Sequence, residues 1–193
     1  MIHSFNKLIF IFIIVFIIAA VLSLVGNEKL RNKSSVSPSS TLAPDISQNT
    51  EVNSADGAMK IIMEKTVRGS GSRMYSFFTT DKQGNQKLIL TKTFLGSGGM
   101  SVPVNSWSPD NKYLFLKEEN ATMSSFLVFK QSGDNFSTGE SYLDIVPLFL
   151  ARKSLYTLAD VTGWDSDTLL HVVTTGPPFW FEVPSKSFIQ LAR

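Results

Sequence analysis

The chain contains no cysteine and only two histidines among its 193 residues. Without cysteine there is no disulfide, no thiolate zinc site, no cysteine nucleophile and no lipid attachment through a thioether. A domain built this way must rest on its core alone, whatever its redox compartment. Charge is also sparse, at 18%, against an apolar share of 43%, a balance that excludes wholesale disorder. The net charge of +2 does not signal a nucleic-acid partner. Lys7, Lys29, Arg31 and Lys33, with Glu28, flank one apolar run; the acids and bases of the remainder balance to within one charge. The H-E-x-x-H, Walker A, G-x-G-x-x-G, EF-hand and G-x-S-x-G patterns are all missing. No cofactor, metal ligand or catalytic residue is therefore assigned, and the chain is read as a non-enzyme.

What is present begins with residues 8–25, LIFIFIIVFIIAAVLSLV, which carry one hydroxyl and no charge. At 1.5 Å per residue the run spans about 27 Å, close to the hydrocarbon thickness of a bilayer. A surface helix of a soluble domain would show a polar face, and this run shows none. The expectation is a transmembrane helix or signal-anchor that takes the lipid bilayer as partner, preceded by a short tail over residues 1–7. A cleaved signal peptide is the alternative, with Val21 and Ser23 as a small-residue cleavage pattern. Pilin-like precursors also begin with an apolar run, but their glutamate inside it and glycine before it are missing here. The Lys and Arg count is higher after the run than before it, which read strictly places the remainder in the cytoplasm. The short basic lead and the polar segment that follows favour an extracytoplasmic placement instead, and that is the expectation.

Residues 26–53 read as a linker. Over residues 32–54 the chain is rich in Ser, Thr, Asn and Pro, with isolated aliphatics and no period. Such a segment cannot bury enough apolar surface to offset its ordering entropy, so a disordered tether is expected, with a reach of about 25–30 Å. Asn32, Asn120 and Asn135 head glycosylation sequons, which matter only in a eukaryotic secretory pathway.

From residue 54 to residue 193 the pattern is all-β. Residues 75–79, 87–91, 113–117, 125–130, 168–173 and 179–183 are short, aromatic and β-branched. Turn signals separate them, at residues 81–85, 96–99, 131–134 and 176–178. Residues 59–67 fit either a strand or a short helix; a repeat partner argues for strand.

That repeat is the most informative feature. Trp107-Ser108-Pro109-Asp110-Asn111 leads into an alternating strand, and Ser54-Ala55-Asp56-Gly57 has the same layout. Gly163-Trp164-Asp165-Ser166-Asp167 repeats it more loosely. The aligned aspartates Asp56, Asp110 and Asp167 stand 54 and 57 residues apart. A near-constant period of this size marks a repeat architecture. An aspartate at such a turn accepts backbone N–H groups, and Gly or Asn follows because the backbone there needs positive φ. A tryptophan just before the turn can fill the layer between neighbouring sheets.

These residues resemble the TolB-type, or WD-like, β-propeller repeat, with its aromatic followed by Ser-Pro-Asp-Gly-Lys and a hydrophobic strand. Trp107 to Leu116 is the good match, with Asn111 in place of Gly. The Asp56 copy keeps Asp-Gly without the Trp and Pro; the Asp167 copy keeps Trp and Asp without Pro and Gly. The resemblance implies antiparallel propeller-like sheets, an incomplete propeller of about three blades, tethered to the N-terminal helix. Closed propellers have four to eight blades. Three imply an open fragment, a sandwich, or one part of a homo-oligomer.

The remaining chemistry is thin. His171 alternates with Leu169 and Val173 on a strand and reads as a packed or edge histidine. The glycines of residues 96–99 fit an inter-strand turn better than an anion cradle, since no helix follows. Asp165 and Asp167 read as turn-shaping residues rather than cation ligands. Glu118 and Glu119 face opposite ways on a strand and read as a solvated end. Phe179, Trp180 and Phe181 form a dense cluster, read first as core and second as a surface for a protein partner. The function expected from these readings is a membrane-anchored protein-interaction or scaffold module of the cell envelope. The alternatives are an enzyme or enzyme-accessory domain acting on envelope peptides or glycans, and an envelope sensor.

Overall fold

A computed structural model describes residues 45–153 and 155–192. The apolar run at 8–25 and most of the expected linker lie outside the described residues. Among the described residues, no helix is long and apolar enough to cross a membrane.

Among the described residues there are twelve strands and one helix. Strands β1 (Ile46–Asn53), β2 (Met59–Val67), β3 (Arg73–Asp81) and β4 (Gln86–Phe94) form the first sheet. Strands β5 (Gly99–Ser101), β6 (Tyr113–Glu119), β7 (Ser124–Lys130) and β8 (Leu143–Asp144) form the second. After helix α1 (Ile145–Arg152), strands β9 (Leu158–Trp164), β10 (Leu169–Thr174), β11 (Phe179–Glu182) and β12 (Ser187–Gln190) form the third. Each sheet is an antiparallel meander in chain order, and the three do not close into a ring.

The second sheet lies between the other two. Leu114, Leu116, Leu127 and Phe129 on one of its faces pack with Ile61, Tyr75, Phe77 and Phe94 of the first sheet. Phe115, Phe126 and Val128 on the other face pack with Leu170, Val172, Phe179, Phe181 and Phe188 of the third. Successive side chains of a strand point to opposite faces, so β6 can be apolar throughout its first half and bury both sides. The outer sheets have one covered face each and alternate accordingly. Below, the leading face of a sheet is the one turned toward the sheet that follows it in the chain, and the trailing face is the opposite one.

Three features depart from the sequence reading. The expected linker ends in strand: Ile46–Asn53 pairs residue for residue with β2 from Lys60 to Val67. Its side chains are exposed except for half-buried Val52, so backbone hydrogen bonds hold it and no apolar alternation announces it. The sequence also gives no sign of α1, whose eight residues include Pro147. Proline is tolerated there because it stands in the first turn, where backbone N–H groups lack intrahelical partners. Asp144 caps that turn by accepting from the N–H of Val146. Finally, β5, β8, β9 and β12 are short or polar and carry little apolar signal. Residues 59–67, ambiguous in sequence, are strand.

Candidate functional site

The repeat is recovered atom by atom between the first two sheets. Each turn joins the first strand of its sheet to the second. Ser54 Oγ donates to Asp56 Oδ1 at 2.7 Å, and Ser108 Oγ donates to Asp110 Oδ1 at 2.8 Å. The N–H of Ala58 reaches Asp56 Oδ1 at 2.9 Å, and that of Lys112 reaches Asp110 Oδ1 at 3.1 Å. The N–H of Met59 reaches Ser54 Oγ at 2.9 Å, and that of Tyr113 reaches Ser108 Oγ at 3.0 Å. Gly57 and Asn111 hold the positive-φ position, at 65° and 59°. The turns also touch: Asn111 Nδ2 donates to Asp56 Oδ2 at 2.9 Å.

These contacts depress both carboxyls. The N–H of Ala58 and the Ser54 hydroxyl hold Asp56 below its ordinary value. At Asp110 partial burial acts the other way, but Lys112 and Ser108 outweigh it and the net shift is downward.

The third turn is built differently. It is one residue shorter: the N–H of Asp165 reaches the carbonyl of Leu169, whereas that of Ser108 reaches Tyr113. Ser166, not Asp167, accepts a backbone N–H, from Thr168 at 3.4 Å. Asp165 instead receives the indole N–H of Trp180 at 2.7 Å. The likeness of Asp167 to Asp56 and Asp110 is therefore one of spacing and not of hydrogen bonding.

Behind the turns stand the tryptophans. Trp107 and Trp164 are both buried, and each precedes the residue that closes its turn. Trp107 Nε1 donates to the carbonyl of Val52 at 3.3 Å, and Trp164 Nε1 donates to that of Ser106 at 2.9 Å. Val52 and Ser106 are themselves equivalent, each standing two residues before its turn-closing serine and opposite Ile61 or Phe115. Each tryptophan thus clamps its sheet to the sheet before it, through the same atom of the same position. Trp164 also stacks on Tyr113, centroids 6.0 Å apart, and Tyr113 stacks on Phe136. Pro109 lies within the second turn, where its fixed φ suits the bend.

The aromatic cluster near the end of the chain divides. Phe179 and Phe181 are fully buried on the trailing face of the third sheet and present nothing to a partner. Trp180 points to the leading face and is half-buried. His171, its cross-strand neighbour, shares a 2.7 Å hydrogen bond between Nδ1 and Thr162 Oγ1.

Glu118 is not a solvated strand end. It is buried, ion-paired with Lys92 of the first sheet and hydrogen-bonded by Asn120 Nδ2 at 3.2 Å. Glu119, facing the other way, is exposed. Near Glu118, burial pushes the carboxyl of Asp144 up, with repulsion from Glu118 adding to it and the N–H of Val146 and the Ser125 hydroxyl opposing. Neither carboxylate is a sequence-level site candidate, because strand alternation does not reveal which charge an adjacent sheet will cover. Of the turn glycines, Gly99 opens β5 rather than a helix, and a Cβ there would sit 2.8 Å from the Tyr75 hydroxyl. Close packing is sufficient reason for glycine at that position. Among the described residues no three His, Cys, Asp or Glu side chains converge to hold a metal ion. Neither a family model, nor a curated protein, nor a solved structure matches the chain.

Proposed function

We propose that the chain is a membrane-tethered, extracytoplasmic scaffold of the cell envelope that binds protein partners through the ends of an incomplete, TolB-like propeller. One observation carries the reading: the same tryptophan clamp recurs at both boundaries between successive sheets, and the same turn recurs in the first two. Among the described residues, a stack held in this way leaves an uncovered face at each end, and large half-exposed apolar side chains stand on both. Trp180 and Phe78 are of the residue types that anchor protein interfaces. The uncharged run at 8–25 supports the tether, and the polar segment after it supports a spacer between bilayer and domain.

The test has two arms. Reporters active only inside or only outside the membrane, fused after Arg193, read the topology; a signal only from the inside reporter would reverse the orientation. Capture with the full chain in detergent reads the partner. Specific capture should be lost in Trp180→Ala while far-ultraviolet circular dichroism stays native, and capture indifferent to both end faces would overturn the interaction reading.

A further inference from the structure

We propose that the covering partner of the two open ends is a second copy of this chain, with the leading face of the third sheet seated on the trailing face of the first, so that two copies form one six-sheet ring. This inference rests on the repeat reading above and names its partner.

The argument starts from equivalent positions. On the trailing faces, Leu116 pairs with Leu127 in the second sheet and Val172 pairs with Phe179 in the third. All four are buried against the preceding sheet. The matching pair in the first sheet is Ile62 with Phe78. No sheet precedes it among the described residues, yet the pair is still apolar and is left half-exposed. Leu88 continues the row and is 52% exposed. A terminal face that served only to meet water would carry polar residues here, as the caps of repeat arrays do.

The leading faces tell the complementary story. Ile61 with Thr79, and Phe115 with Val128, are buried beneath the following sheet. Their counterparts in the third sheet are His171 with Trp180, and Ile189 extends that row at 45% exposure. Leu169, matching the Tyr113 on which Trp164 stacks, is also half-exposed. Each open end thus carries the central apolar row of an interface that the chain already forms twice, although Lys60 and Thr80 stand in the first sheet where Leu114 with Phe129 and Leu170 with Phe181 are buried in the others.

The number of sheets permits closure. Among the described residues three sheets leave two ends, and rings of such sheets run from four to eight. Two copies supply six, and a head-to-tail contact in which each copy gives both of its ends to the other makes a ring instead of a filament when the rotation between successive sheets suits six. The contact between copies is weaker than those within a chain. Asn53 stands where Trp107 and Trp164 stand, and Gly57 stands where Asn111 reaches back to Asp56. Both side-chain clamps are missing from the first sheet, so association is reversible and depends on concentration.

The absence of native cysteine gives a clean test. Full-length Leu88→Cys and Ile189→Cys chains are purified separately in detergent and treated with a short thiol cross-linker. Covalent dimers are expected only when the two are mixed, and the doubly substituted chain should stop at the dimer. Cross-linking of Leu88→Cys with itself at equal yield, a ladder beyond the dimer, or no product in the mixture would each overturn the proposal. Sedimentation equilibrium supplies a second readout. Phe78→Glu should shift the chain to monomer with its near-ultraviolet circular dichroism retained. Asn53→Trp should tighten association about tenfold, the gain expected of one added buried hydrogen-bonded contact. Association unchanged by both would assign it to residues outside these faces and sink the inference. The topology reporters fail or succeed independently of these measurements.

Discussion

The indole of Trp164 donates to the backbone carbonyl of Ser106 across the boundary between the second and third sheets. That carbonyl already accepts the N–H of Phe115 at 2.9 Å, so one oxygen ties a turn, a strand and the next sheet together. Because Trp107 repeats the relation one sheet earlier, inter-sheet register is set twice by the same device.

Truncating either tryptophan to alanine is therefore expected to cost about 3–5 kcal/mol, through lost burial and an unfilled cavity. Tryptophan to phenylalanine separates the hydrogen bond from the volume. The bond of Trp164 is the shorter and fully buried one, so Trp164→Phe should cost more than Trp107→Phe. Urea titration followed by far-ultraviolet circular dichroism measures both. Equal, near-zero costs for the alanine variants would contradict the clamp.

The turns carry a second expectation. Gly57 and Asn111 share a left-handed backbone that costs an ordinary L-residue roughly 1–2 kcal/mol. Gly57→Ala should be destabilising by about that amount. Gly57→Asn should be milder, because asparagine already occupies the same conformation at position 111. Nothing stands within 4 Å of a Cβ built on Gly57, so a difference between the two variants reports backbone strain and not a clash.

How far this was legible in the sequence depends on what each element is made of. Residues 107–116 announce turn and strand together, because Pro109, Asp110 and Asn111 have one conformational use and β6 alternates into two cores. Strand β1 does not: residues such as Ser47, Gln48, Asn49 and Thr50 are exposed, and only the partner strand makes them strand. The third turn keeps its alignment through Asp167, because Trp164, Asp165 and Asp167 stand where Trp107, Ser108 and Asp110 stand. Aspartate replaces the turn-closing serine and one residue is missing after Asp167, so the spacing of the aspartates is kept while the hydrogen bonding is not. Glu118 shows the limit for sites. Its neighbour Glu119 is chemically alike and exposed, and only the packing of Lys92 from another sheet distinguishes them.

Ser106 offers a sharper test of packing. Its side chain is fully buried, and its hydroxyl has no hydrogen-bond partner, while its carbonyl does the clamping. An unsatisfied buried hydroxyl costs about 1–3 kcal/mol. Ser106→Ala removes the hydroxyl and leaves the carbonyl, so stability should be unchanged or higher. A loss above about 1 kcal/mol, beyond the scatter of neutral substitutions, would mean that the hydroxyl is bonded in solution.

Acid and base should act on different parts of the molecule. Asp56 and Asp110 are depressed below the ordinary 3.8, so their folded-state advantage is present above that value and is lost as pH falls through their lower folded values. Asp144 runs the other way. Its carboxyl is raised above 3.8 chiefly by burial, so the fold favours its protonated form. That contribution is fully present below 3.8 and disappears as pH rises through the raised value. Above it, a desolvated charge remains beside Glu118, countered by Lys92, Ser125 and the cap to Val146. Asp144→Asn keeps the cap, since asparagine serves as well at that position, and removes the charge. The stability of Asp144→Asn relative to the native chain should therefore rise as pH climbs from about 3.8 toward neutrality. Denaturant titrations of both proteins across that window decide it: a relative stability that falls with rising pH would show that Lys92 dominates and that the folded protein favours the Asp144 carboxylate.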